Sequence, residues 1–221
     1  PMPAWSYSAL TAFETCPRKY YHTRVAKDIV EPETQALTWG NAVHKALELR
    51  VSENIPLPTG MTQWEPLVSR LTTKGEVFTE KAIALNKDLT PVDWFDRSVW
   101  VRGKLDLTII QDDKCIVLDY KTGQPKSDGS QLQLFAALAM AVYPEVDRVK
   151  TGFVWLKTNG LDTTPYTRDD VPNIWSYFAP RVARLEDAYE TNTWPEIRSG
   201  LCRAWCPCSS CPNNGRYGSP G

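Results

Sequence analysis

The chain has 221 residues, 42% of them hydrophobic and 23% charged. That provides for one substantial core and excludes a disordered chain. A formal charge of −1 and a pI near 6.2 exclude overall basicity as a means of holding an acidic partner. Any anion-binding face must come from local clustering of Lys and Arg, or from bound cations. The longest apolar run, Leu132 to Tyr143, contains Gln133 and is about half the ~20 residues that a membrane-spanning helix requires. The opening residues Pro1-Met2-Pro3-Ala4-Trp5 have neither the basic start nor the apolar stretch of a signal peptide. A cytoplasmic location is therefore expected. In a reducing compartment the six Cys read as metal ligands or free thiols rather than disulfides.

From Ser6 to Val25, Ser6 and Ser8 are candidate caps for a helix carrying Leu10, Phe13 and Tyr20-Tyr21, with Pro17 at a helix end or kink. Thr38-Trp39-Gly40-Asn41 leads into a second helix, Ala42 to Val51, on which His44 and Glu48 share a face. Ile55 to Gly60 reads as a loop and Trp64 to Leu71 as a helix, while Glu76 to Asn86 fits either helix or strand. Three strands are expected next: Ser98 to Val101, Lys104 to Ile110 beyond Gly103, and Cys115 to Lys121 beyond a turn at Gln111-Asp112-Asp113-Lys114. Ser130 to Tyr143 predicts a compact helix stopped by Pro144. Arg148 to Lys157 predicts a strand followed by a loop with Gly160, and Pro172 to Thr191 a long helix with an apolar stripe. Trp194 to Gly221 holds four Cys and is too irregular to pack without a cross-link. This order implies a single α/β domain with a mixed sheet rather than regular βαβ repeats. Its parts are an N-terminal helical part (6–51), a core (76–157) and a C-terminal helix with the Cys-rich tail (172–221).

Asp119 and Lys121 stand two apart on a predicted strand and so point to one face, with Ile116, Leu118 and Tyr120 on the other. Asp106, on the neighbouring strand between Leu105 and Leu107, is a carboxylate that needs a partner if buried. Two carboxylates across a hairpin can hold Mg2+ or Mn2+, and a lysine beside them can orient a water or stabilise developing charge. Spacing alone leaves a second reading open, a structural ion pair between Asp119 and Lys121 at a sheet end.

The string Gly103-Lys104-Leu105-Asp106 followed by Val117-Leu118-Asp119-Tyr120-Lys121-Thr122-Gly123 resembles the PD-(D/E)XK nuclease superfamily. The likeness is to its RecB-like exonuclease branch, which includes phage exonucleases and CRISPR-associated RecB-family exonucleases. The resemblance implies a restriction-endonuclease-like core, a central mixed β-sheet flanked by helices. It makes Asp106 and Asp119 metal ligands, adds the Tyr120 backbone carbonyl to them, and makes Lys121 catalytic. Gly40-Asn41-Ala42-Val43-His44 resembles the family's Gly-x-x-x-His motif, implying His44 as a further ligand. Taken alone, a single helical His is more often structural. Gln131-Leu132-Gln133-Leu134-Phe135 resembles the Gln-x-x-x-Tyr motif, implying that Gln131 supports the active site, with Phe135 in the tyrosine position. Glu80 matches an upstream helical acid of some members, but reads more simply as a solvated surface residue.

Cys202, Cys206, Cys208 and Cys211 fall within ten residues, Cys16 lies near the other end, and Cys115 reads as a buried thiol. The tail cluster alone fits a four-Cys zinc site, an iron–sulfur cluster or loosely placed thiols. A zinc ribbon would use two separated Cys-x-x-Cys pairs, which are absent here. The family resemblance implies a [4Fe–4S] cluster held by Cys16, Cys202, Cys206 and Cys211, with Cys208 as an alternative, joining the N- and C-terminal segments in a structural role. It also implies DNA as substrate, single-stranded or with free ends, and a place in phage or bacterial recombination or repair, with a recombination protein as a possible partner. Arg18, Lys19, Arg24, Arg198, Arg203 and Arg216 are candidates for a basic lip, or else dispersed surface charge. Trp39, Trp100 and Trp155 are candidates for base stacking. The rival reading is a cluster-containing nucleic-acid-binding or adaptor protein without activity, against which the intact Asp106, Asp119 and Lys121 argue.

Overall fold

The computed structural model describes residues 1–125 and 128–215, and these fall into two compact units. One is built from residues 35–176, the other from residues 1–34 and 177–215. In the first unit, helices α3 (Gln35–Ser52) and α4 (Glu65–Thr72) precede a sheet of β1 (Glu76–Leu85), β2 (Pro91–Val92), β3 (Val101–Gln111), β4 (Lys114–Lys121), β5 (Arg148–Trp155) and β6 (Gly160–Thr167). Helix α5 (Ser130–Val142) joins β4 to β5. Helices α1 (Tyr7–Thr15) and α2 (Pro17–Tyr20) belong to the other unit, and α6 (Val171–Thr191) starts in the first unit and continues in the second.

The strands lie in the order β2-β1-β3-β4-β5-β6. Only β4 and β5 run parallel, as the α5 crossover between them requires; every other pair is antiparallel. The mixed α/β architecture expected from the sequence is therefore present. Val43 and Leu47 of α3, with Trp64, Val68 and Leu71, pack on Leu107, Ile109, Leu118, Tyr120 and Val154 of the sheet. Helix α5 is apolar nearly all round, with Leu132 and Leu134 to Met140 buried, the condition of a helix covered on most sides.

Several boundaries differ from the sequence reading. Gly103 does not separate two strands but lies inside β3, because Leu138 and Phe135 of α5 press on it; a Cβ there would meet Leu138 Cδ1 at 2.5 Å. Glu76–Leu85, ambiguous in sequence, is a strand since β2 and β3 flank it on both sides. Helix α3 begins earlier than expected, so Thr38–Asn41 are helical. The expected loop at Gly160 is the start of β6. This edge strand is mostly exposed and polar, with Pro165 within it, so it lacks the apolar alternation that would mark it in sequence.

In the second unit Ser6 caps α1 by accepting the Ala9 N–H at 3.2 Å, and Cys16 breaks the helix before Pro17 starts α2. Trp194 sits among Phe13, Tyr20, Tyr21 and Tyr189, and the Tyr20 and Tyr189 hydroxyls meet at 3.1 Å. Arg181 donates Nε and Nη2 hydrogen bonds to the Glu14 carboxylate at 2.9 and 2.6 Å. Aromatic packing and this bidentate pair thus tie the N-terminal segment to the last helix. The tail adds its own backbone bonds, such as Cys211 N–H to Cys208 C=O at 3.1 Å.

Because Leu138 is fully buried, it has little room to yield at Gly103. Gly103→Ala is expected to cost about 1–3 kcal/mol through overpacking. In urea denaturation, the double variant Gly103→Ala/Leu138→Ala should cost less than the sum of its two single changes.

Candidate active site

Strands β3 and β4 pair as far as Leu107 with Leu118. The next pair in that register would be Asp106 with Asp119, and there the ladder opens. A buried backbone N–H must find another acceptor at such a point. The Asp106 carboxylate supplies it, accepting the Tyr120 N–H on Oδ2 at 2.9 Å. On its other side, β1 and β3 pair through Thr79 with Leu107 and Lys81 with Leu105, so Glu80 lies across from Asp106. Asp119 in turn pairs with Phe153 of β5. One rung of the sheet therefore carries three carboxyl side chains in a row, Glu80, Asp106 and Asp119.

Helix α3 brings His44 to this rung. Its Nδ1 lies 3.3 Å from Asp106 Oδ2, and its ring meets Tyr120 edge to face at 6.0 Å. Val43 and Leu47 are fully buried against the sheet, which fixes the helix rotation that presents His44. At the other end of the rung Lys121 Nζ stands 2.7 Å from Asp119 Oδ2 and donates to Gln131 Oε1 at 2.9 Å. It also lies 5.1 Å from the Phe153 ring centroid, a cation–π contact. Gln131 occupies the first turn of α5, so this helix sets the lysine from above.

All four side chains read as catalytic, and His44 with them, are thus brought together. Of the two readings left open for Asp119 and Lys121, the ion pair is present, and it sits beside Asp106 and His44. Glu80 corrects the sequence reading. It is neither helical nor a solvated surface residue, but half-buried on β1, and its ligand atom lies within 4.8 Å of those of His44 and Asp106. Its backbone is left-handed at φ 48°, uncommon for a non-glycine residue within a strand. Its only sequence signal is an acid in a segment of ambiguous periodicity, and only strand pairing places it opposite Asp106. Phe153 was also missed, having no polar atom to mark it.

The electrostatics run to negative excess. Burial first, then the Asp106 charge, push the Asp119 carboxyl up to about 6, while Lys121 and His44 oppose the rise. Burial and the Asp106 and Glu48 charges raise Glu80 as well. The hydrogen bond to Asp106 raises His44 against its own desolvation. Carboxyls displaced upward beside one another mark a site with room for further positive charge. An imidazole nitrogen with carboxylate oxygens is a donor set suited to a divalent cation. A groove of about 480 Å³, lined among others by Gly40, Asn41, His44, Glu80, Asp106 and Thr122, opens onto this cluster.

The cysteines behave differently. Cys115 is a buried thiol, pushed up to about 12 by desolvation. The Cys208 thiol, also pushed up to about 12, is buried next to Cys206 and feels Cys16 and Cys211. Cys202 Sγ points instead to Ile197 C=O at 3.8 Å and accepts the Ser199 N–H at 3.5 Å. Among the described residues no three sulfurs lie within 4.8 Å of one another.

Of the candidate basic lip, Arg18 pairs with Glu196 at 3.2 Å and Lys19 with Glu31 at 2.9 Å, so both are offset by acids. Arg216 lies outside the described residues. Of the candidate stacking residues, Trp155 is buried and donates to Asp162, and Trp100 packs on Trp175. Trp39, at 44%, is the most exposed of the three.

In the metal-free protein Asp119 holds its proton more tightly folded than unfolded, where a carboxyl titrates near ~3.9. The stability this contributes is present below about pH 4 and lost as pH rises through about 6. Asp119→Asn is therefore expected to gain on the order of 1 kcal/mol over the wild type at pH 8 and nothing at pH 4. Urea denaturation in chelator at the two pH values checks this.

The family model of the PD-(D/E)XK nuclease superfamily matches residues 4–214. A comparison with curated proteins finds no match. Among solved structures, the chain is similar to an Eubacterium rectale protein provisionally designated an exonuclease. Identity is 12%, over 99% of this chain and 89% of that one, with a TM-score of 0.57; at that identity the likeness is one of fold. It is also similar to the protein SSO0001, at 14% identity over 97% of this chain and 88% of that one, with a TM-score of 0.49.

Proposed function

The chain belongs to the PD-(D/E)XK nuclease superfamily, and from that premise we propose that it is a divalent-metal-dependent exonuclease hydrolysing DNA phosphodiester bonds. The observation that carries this reading is the convergence of His44, Asp106, Asp119, Lys121 and Gln131 from four separate elements onto one rung of the sheet. His44, Asp106, Asp119 and the Tyr120 carbonyl would hold Mg2+ or Mn2+. Such an ion, when bound, offsets phosphate charge and lowers the pKa of water. Lys121, held by Asp119 and Gln131, is placed to orient the attacking water or to stabilise charge on the phosphate. The designation of the Eubacterium rectale protein as an exonuclease supports action at the ends of the nucleic acid. A role in phage or bacterial recombination or repair, in the cytoplasm and beside a recombination partner, extends the same reading. None of the described helices is long and apolar enough to cross a membrane. The family match across both units supports treating the chain as one nuclease domain.

We further propose a structural [4Fe–4S] cluster on Cys16, Cys202, Cys206 and Cys211. The neighbours of Cys208, namely Cys206, Cys16 and Cys211, support three members of this grouping, with Cys208 as the alternative ligand. A four-thiolate zinc ion, at Zn–S of about 2.3 Å, needs its sulfurs about 3.8 Å apart. Four thiolates also suit a cubane, whose irons sit at separate corners.

End-labelled DNA incubated with Mg2+ or Mn2+ should be shortened from its ends by the wild type, and at least 100-fold more slowly by Lys121→Ala. Intact DNA with the wild type under either metal would overturn the nuclease reading. Anaerobically purified protein should be brown, with about four irons per chain; stoichiometric zinc in its place would overturn the cluster.

A further inference from the structure

We propose that Phe95, Arg102 and Lys104 form a track along which a single-stranded DNA tail reaches the active site, with an unpaired base stacked on Phe95. The inference rests on the nuclease reading above and adds to it the strand state that the site accepts. Phe95 is 87% exposed, a large apolar ring left in water on the loop between β2 and β3. That loop is tied down. Asp96 accepts the Ser98 N–H at 2.7 Å and the Ser98 hydroxyl at 2.6 Å, and the Trp100 N–H donates to the Leu85 carbonyl at 2.8 Å. Trp100 also packs on Trp175. The Arg102 guanidinium lies 5.1 Å from the Trp94 ring centroid and 5.9 Å from that of Phe95. Its Nε is buried with no hydrogen-bond partner among the described residues, so ring faces rather than bonds to that nitrogen hold the cation. An open ring with a cation fixed beside it is what base stacking and phosphate contact require of a single-strand surface.

Strand β3 joins this surface to the site. Arg102, Lys104 and Asp106 stand two apart on it and share a face. Val101, Gly103 and Leu105, which alternate with them, are buried, while Lys104 is exposed and Arg102 partly so. Opposite Arg102 and Lys104 on β1 stand Ala84 and Ala82, side chains too short to cover them. The Lys104 charge acts on the Glu80 carboxyl, which places it between the Phe95 ring and the acidic rung. From Asp106 to Arg102 is about 13 Å of strand, the span of about four stacked nucleotides at ~3.4 Å each. Bases inside a duplex have both faces covered, whereas an unpaired tail has faces free for Phe95.

Fluorescence anisotropy with Mg2+ tests the track, using an oligothymidylate of about 12 nucleotides and a blunt duplex of the same length. A Lys121→Ala background keeps both intact. Phe95→Ala should weaken single-strand binding about tenfold, the loss of one stacked base, and leave duplex binding within about twofold. Phe95→Trp should bind as Phe95 does, whereas Phe95→Leu, which keeps an apolar contact with Arg102, should bind as Phe95→Ala does. Arg102→Gln and Lys104→Gln should each lower the slope of log affinity against log salt by about 0.7. Unchanged single-strand affinity in Phe95→Ala, full affinity in Phe95→Leu, or an equal loss on the duplex would overturn the proposal. If the single-strand pattern holds while the wild type leaves DNA uncut, the nuclease reading falls and the track stands. If the wild type cuts DNA and Phe95→Ala binds as it did before substitution, only the track falls.

Discussion

One hydrogen bond organises the site, from the Tyr120 backbone N–H to the Asp106 carboxylate. It stands where the β3–β4 ladder stops, and it performs the task that a main-chain carbonyl performs elsewhere in the sheet. A carboxylate in that position is held by the backbone of a neighbouring strand, not merely by its own rotamer. Its position is then a fixed feature of the fold. His44 is drawn to it, and it adds to the burial that pushes Asp119 and Glu80 upward.

Positive charge reaches the rung from two directions. Lys121 is constrained three ways, by Asp119, by Gln131 and by the face of Phe153, so its ammonium is positioned before any substrate arrives. Such preorganisation is what makes a fixed charge effective in a site with little water. His44 approaches from the opposite side on a helix whose rotation is set by Val43 and Leu47 in the core. Three carboxyls against one lysine and one histidine leave the rung short of positive charge, the condition under which a dication is bound rather than repelled.

In the unit made of residues 1–34 and 177–215, side-chain packing joins the first helices to the last. Trp194 and the rings around it, with the Glu14–Arg181 pair, already join the first helices to the last. Cross-linking through cysteines would add to this packing instead of substituting for it.

Spacing placed Asp119 and Lys121 on one strand face, while the roles expected of His44, Asp106 and Gln131 came from the family resemblance. Asp119 and Lys121 stand two apart on an apolar strand, His44 follows a helical Gly40, and Gln131 opens a helix. Those spacings reflect strand and helix periods, which the chain encodes locally. The β3–β4 hairpin and α5 were legible for the same reason. Strand β6 was not, because an exposed edge strand has no buried face to impose alternation. Gly103 looked like a break, yet it serves close packing with Leu138, a contact between residues 35 apart in the chain. Glu80 looked like surface, since nothing near it in sequence reveals that β1 pairs with β3 at that level. The sequence by itself determined which chemical groups are present and which lie on a common element. Only the tertiary structure decided which strands are neighbours and in what register, because that choice is made by distant packing and by the need to pair every buried N–H.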